Sequence, residues 1–362
     1  MHDAIDRWGA HGDSLAGRTL SAMIDSDRLP HAVLIGGPVG VGKRDLALRI
    51  AQALVCAERH PPCRQCRACR RIQDPDEPGR ELQHADVEII SPGGLCAVAD
   101  HDHRNTRTIG ICVIRRIEHA TSIKPFEGEH RVCIVDPADA MTSEASDAFL
   151  KTLEEPPPGV YFLLLTAQEA MLSETIRSRC RALRLAPLSA ERIEQWLEHS
   201  DGAVPNDLEA RLELTRLARG RPGWLAAALR EGDPLAQRDA QIAAAIELAH
   251  ATRAERLGWA EQLTGRRAAS RDTVANIDLV LDAWIDWWRD LWLAAEGREA
   301  DVVHVAHREQ IASESPRYPA VEVGRFLEAI QTTQRLIHRG VDHGGNPRLA
   351  LEVLLLSIPS AR

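Results

Sequence analysis

Residues 31–50 read HAVLIGGPVGVGKRDLALRI, and this stretch decides the fold. HAVLIG is a short apolar run ending in glycines, which reads as a buried strand. KRDLALRIAQALVC (43–56) then spaces Leu46, Ile50, Ala53 and Leu54 along one helical face. Between strand and helix lies most of a phosphate-binding loop, G-x-x-x-x-G-K-[ST]. Gly37, Gly42 and Lys43 fill their places and Gly40 lies inside it. In this context backbone N–H groups cradle phosphates and Lys43 neutralises their charge. The last position departs: Arg44 stands where a Ser or Thr hydroxyl would hold Mg²⁺. A guanidinium has no acceptor lone pair, so the expectation is a phosphate cradle without metal-assisted hydrolysis.

Working outward, RVCIVD (131–136) and VYFLLLTA (160–167) are two more buried strands. The helix between them, SEASDAFLKTLEE (143–155), stops at Pro156-Pro157-Pro158, which cannot continue it. Strands alternating with helices imply a parallel α/β sheet, whose ligands sit at the carboxyl ends of the strands. Gly37, Asp136 and Thr166 all fall there. VCIVDPAD has the apolar strand and the acid of a Walker B segment. The competing reading is an acid that caps the next helix. Many such sites follow the Asp with a Glu that polarises the attacking water; here Pro137 follows, and an active site would need Asp139 or Glu144 to replace that acid. Residues 74–110 are polar and rich in breakers, loops around a short strand ADVEII (85–90). Helix returns with IGICVIRRIEHATSI (109–123). Beyond residue 187 the pattern is helical, and Trp284, Trp287, Trp288 and Trp292 mostly share one broad face. That face reads as core or subunit contact rather than a platform for stacking bases.

Two further clusters carry chemistry. Cys56, Cys63, Cys66 and Cys69 form C-x6-C-x2-C-x2-C, a spacing that suits tetrahedral structural Zn²⁺ with no open position for catalysis. His60 lies inside it and could replace one ligand, most readily Cys56. The arginines of CRQCRACRR (63–71) either offset the charge of four thiolates or contact nucleic acid. In SETIRSRCR (173–181), Arg179 lies at a helix end. From there it either reaches a neighbouring subunit's phosphates or makes a surface ion pair. The net charge of −9 argues against a general nucleic-acid coat. No window approaches about 18 consecutive apolar residues, and MHDAIDRWGAHGDS lacks the pattern of a signal peptide. The expectation is a cytoplasmic protein that does not engage a membrane.

Together these residues resemble bacterial clamp-loader subunits of the AAA+ class. The phosphate loop, the Cys cluster after it, LKTLEEPP (150–157) and SRC (178–180) occur in the family's order. HAD (84–86), IRRI (114–117) and NPRLALEVLLL (346–356) match further family segments. The resemblance implies an α/β AAA+ domain, P-loop NTPase-like, over residues 1–187 with a zinc module at 56–69. A small helical lid over 188–237 and an all-α collar over 238–362 would follow. Of the family's subunit types, the gamma/tau ATPases end the loop in Lys-Ser or Lys-Thr and follow the Walker B Asp with Glu. They also carry a sensor Arg at the position counted here as Gly223. Arg44, Pro137 and Gly223 depart from that pattern while Ser178-Arg179-Cys180 keeps it. The combination resembles the delta prime type: no hydrolysis of its own, and Arg179 offered in trans to a gamma/tau ATP site. The alternative is an active gamma/tau-like ATPase. Partners implied by the resemblance are gamma/tau and delta subunits in a hetero-pentameric loader of the DNA polymerase III holoenzyme. Through that complex come the sliding clamp and primer–template DNA. The degenerate nucleotide-binding residues would be Gly37, Gly40, Gly42, Lys43, Asp136 and Thr166. Whether ATP or ADP rests there unhydrolysed, or nothing does, is left open.

Overall fold

The computed structural model describes residues 7–58, 60–74, 82–96, 98, 106, 108–198, 204–230, 232–265, 271–343 and 346–359. The chain divides into two compact units. One is Met1–Ser200 with Ala218–Ala227; the other is Asp201–Leu217 with Ala228–Arg362.

The first unit is built on five parallel strands: β1 (Ala32–Gly36), β2 (Val87–Ile90), β3 (Arg131–Val135), β4 (Val160–Thr166) and β5 (Arg181–Arg184). Their order across the sheet is β2-β3-β4-β1-β5. Alternate residues face opposite sides of a pleated strand, and the sequence is apolar at both, so two cores form. Val33, Ile35, Val132, Ile134, Leu163 and Leu165 pack on one side with Leu46, Ala47, Ile50 and Ala51 of α2 (Lys43–Val55) and Leu20 of α1 (Leu15–Asp25). Leu34, Cys133, Val135, Phe162 and Leu164 pack on the other. There they meet Val113, Ile114 and Ile117 of α4 (Ile111–Thr121) and Phe149 and Leu153 of α5 (Ser143–Glu154). A short α3 (Arg67–Arg70) lies within the Cys cluster, and α6 (Glu174–Arg179) leads into β5. The register pairs Gly36 with Thr166 and Val135 with Leu164. The carboxyl ends of β1, β3 and β4 therefore come level.

Asp86 of the HAD segment is buried and structural. It accepts the backbone N–H groups of Phe126 (2.6 Å) and Glu127 (2.7 Å) and faces the Arg131 guanidinium at 3.3 Å. Burial alone would raise its pKa; these donors outweigh it and hold the carboxyl below its ordinary range.

Residues 188–237 carry α7 (Ala190–Glu198), α8 (Leu208–Ala218) and α9 (Pro222–Arg230), and the division between the two units runs through them. The remainder is helical: α10 (Pro234–His250), α11 (Arg253–Thr264), α12 (Arg271–Ala295), α13 (Arg308–Glu314), α14 (Ala320–His343) and α15 (Pro347–Leu356). Trp284, Trp287 and Trp288 of α12 are buried in its core, whereas Trp292 is 39% exposed. Trp284 stacks on Trp259, and Trp288 meets Tyr318 and Phe326 edge-on with centroids 5.1 and 5.2 Å away. The side chain of Asp290 is fully enclosed and accepts the backbone N–H groups of Val303 and His304 and pairs with His304 Nδ1 at 2.8 Å. No helix among the described residues is long and apolar enough to cross a membrane.

Candidate functional site

The glycines shape the loop between β1 and α2. Gly40 and Gly42 have φ of +78° and +102°, a region that residues with a Cβ rarely occupy. No side chain caps the N-terminus of α2, so its first N–H groups are left to the loop's own ligands or solvent. Lys43 turns back into the loop, donating to the carbonyls of Gly37 (2.7 Å) and Pro38 (2.8 Å). Burial lowers the ammonium's pKa from its ordinary value, against the opposing pull of Asp136 and Asp139.

Arg44 is the residue whose role the sequence alone did not disclose. Its Nε donates to Asp136 Oδ2 at 2.8 Å, and its Nη1 lies 3.5 Å from Asp74 Oδ1. The cation that ends the loop thus sits on the acid that follows β3. A signal was available: an added positive charge beside the loop and a retained acid at the end of β3 are complementary. Asp139 is engaged too, accepting the Thr166 hydroxyl at 2.5 Å. The peptide N–H of Gly37 in turn donates to the Thr166 carbonyl at 3.2 Å. Gly37, Lys43, Asp136 and Thr166 are therefore brought together at the strand ends, with Arg44 and Asp139 among them.

The remaining loop position, Gly40, faces α9. Its carbonyl accepts the N–H groups of Gly223 (2.8 Å) and Trp224 (3.2 Å). A Cβ on Gly223 would come 2.9 Å from that same oxygen, and one on Gly40 would come 2.8 Å from Trp224 Cβ. The place counted as a sensor Arg is thus a backbone-to-backbone contact that a side chain would push apart.

Arg179 is not part of this constellation. It ends α6, and its guanidinium pairs with Glu154 at the end of α5 through Nε (2.9 Å) and Nη2. Its Nη1 donates to the Thr175 carbonyl at 2.9 Å. The side chain retains 33% of its accessibility and Glu154 half, so the pair is open to solvent and weak by the usual measure.

The four cysteines converge. The sulfurs of Cys56, Cys63, Cys66 and Cys69 all lie within 4.8 Å of one another, which makes Cys56 rather than His60 the fourth member. Cys63 Sγ and Cys69 Sγ are 3.9 Å apart. Tetrahedral Zn–S bonds of about 2.3 Å would set sulfurs about 3.8 Å apart, so the donor set fits the ion. The N–H of Cys66 points at Cys63 Sγ (3.2 Å) and that of Cys69 at Cys66 Sγ (3.4 Å). The Gln52 amide ties the cluster to α2 through the carbonyls of Cys69 and Ile72. Part of the His- and Arg-rich stretch 91–108 lies outside the described residues.

A family described as DNA polymerase III, delta subunit, matches residues 13–189. The delta' subunit of DNA polymerase III from Bacillus subtilis is 34% identical over 179 residues, 49% of each chain. That from Haemophilus influenzae is 33% identical over 203 residues, 56% of each. The tau subunit of Escherichia coli is 32% identical over 197 residues, 53% of this chain and 28% of its own length. The chain spans about half the length of the delta' relatives it matches and less of tau.

Proposed function

We propose, on the premise that residues 13–189 are those of a delta prime-like clamp-loader subunit of DNA polymerase III, that this chain hydrolyses no ATP itself. Instead it acts through Arg179 on the ATP site of a gamma/tau neighbour. The observation that carries this is the Arg44–Asp136 ion pair of 2.8 Å. It puts a fixed cation on the acid that an ATPase reserves for its metal. Pro137 offers no carboxylate beside Asp136, and Gly223 offers no cation. Arg179, by contrast, sits on a partly exposed helix end, held by a solvent-open carboxylate and by a carbonyl of its own helix. A guanidinium delivered to another subunit's γ-phosphate stabilises transition-state charge and is worth about 10³–10⁵ in rate at that site. In this reading residues 238–362 form the oligomerising collar, Cys56, Cys63, Cys66 and Cys69 hold structural Zn²⁺, and gamma/tau and delta subunits complete the ring that loads the clamp.

The test is reconstitution with gamma/tau and delta subunits. Arg179→Ala is expected to lower DNA-stimulated ATP turnover of the complex while leaving assembly intact. Unchanged turnover would remove Arg179 from the mechanism. The gamma/tau-like alternative predicts ATP hydrolysis by the isolated chain, abolished by Lys43→Ala.

A further inference from the structure

We propose that the Arg44 guanidinium stands in for the magnesium ion of a nucleotide site, so that this loop takes a nucleoside di- or triphosphate free of metal. The inference deepens the reading of the loop as a degenerate nucleotide site and rests on that reading. Magnesium demands near-octahedral oxygen ligands, and in a phosphate loop a hydroxyl and an acid help to place it. Here the hydroxyl is replaced by a group that only donates. Asp136 is taken up by Arg44 Nε at 2.8 Å, and Asp139 accepts from Thr166. A dication brought to Asp136 would meet the guanidinium head-on, and like charges that close repel. The residues present do not fit the ion.

They do fit the anion. Lys43, the uncapped N-terminus of the thirteen-residue α2 and the glycine-shaped loop all supply positive potential or N–H donors. Arg44 adds a planar cation of the kind that binds phosphate oxygens in pairs. Its anchor on Asp136 and its proximity to Asp74 fix the guanidinium beside the carboxyl end of β3. A nucleotide that arrives as its magnesium complex must shed the metal to enter. Free Mg²⁺ in solution therefore competes with the protein for the ligand, and affinity falls as Mg²⁺ rises. An ordinary phosphate loop responds with the opposite sign.

The experiment measures binding of fluorescent ADP and ATP analogues to the full, zinc-loaded chain across a Mg²⁺ titration from metal-free buffer. Chelators are avoided because they would strip the cysteine site. The expected result is binding without Mg²⁺ that weakens as Mg²⁺ is added. Arg44→Thr should reverse the sign, with Mg²⁺ tightening binding by about tenfold. Arg44→Lys, which keeps the charge but not the paired geometry, should bind more weakly than the parent without metal. Two results overturn the proposal: parent binding that stays level or tightens as Mg²⁺ is added, or no binding of either nucleotide or of inorganic pyrophosphate in metal-free buffer. Neither touches the role of Arg179, which the ATPase of the reconstituted complex reads separately.

Discussion

At Gly223 the room for a side chain is already filled by the phosphate loop's own backbone. Gly223→Ala puts a methyl 2.9 Å from the Gly40 carbonyl oxygen, and backbone cannot swing aside as a long side chain can. Overpacking of this kind costs about 1–3 kcal/mol, so the urea midpoint of the variant should fall accordingly. A midpoint equal to the parent's would mean that α9 yields freely. The sequence made Gly223, Arg44 and Pro137 legible as three absences. It did not disclose what occupies each absence, because Arg44 meets Asp136 across 92 residues of chain. Local pattern carries no record of such a contact. Thr166 was legible as a strand-end residue, but its bond to Asp139 was not.

Elements were read best where burial is two-sided or periodicity is long. β1, β3 and β4 are apolar over most of their length and stand out as runs; α2, α4 and α5 show one apolar face. β5 escaped because it is a four-residue strand at the sheet edge with three exposed residues, RALR. An edge strand needs only one neighbour and little hydrophobicity. The Cys element was legible from spacing, since ligands to a small ion must lie close in space. Cys63→Ser should abolish bound zinc and open residues 56–72 to protease while leaving the sheet folded; full zinc content in the variant would show that another residue completes the site. In the C-terminal unit, α12 is anchored by its tryptophans. Trp288→Ala removes two aromatic edges and a wholly enclosed ring, and deleting such a group costs about 3–5 kcal/mol. Calorimetry should show the loss, and Trp292→Ala should cost far less.

Over the whole molecule, charge sets a simple expectation. With a net charge of −9, the isolated chain should show no duplex binding at physiological salt, because non-specific affinity comes from neutralising phosphates and releasing counterions. Fluorescence anisotropy at two salt concentrations checks this; steep salt-dependent binding would give the arginines of residues 63–71 a direct role on DNA. The parallel sheet and the helical C-terminal region were legible from the alternation of periods along the chain. The partition through residues 188–237 was not, since which helices pack together depends on contacts that hydropathy does not specify. The fit between Gly40 and Gly223 finally bears on reversibility. On the proposed reading, an engineer seeking catalysis must supply a hydroxyl at 44, an acid beside Asp136 and a cation at 223, and the last requires prising a helix from the loop it rests on. No one repair yields turnover without the others, and the repair at 223 lowers stability first. Under that proposal the loss of chemistry works as a ratchet: easy to enter one substitution at a time, and without a graded path back.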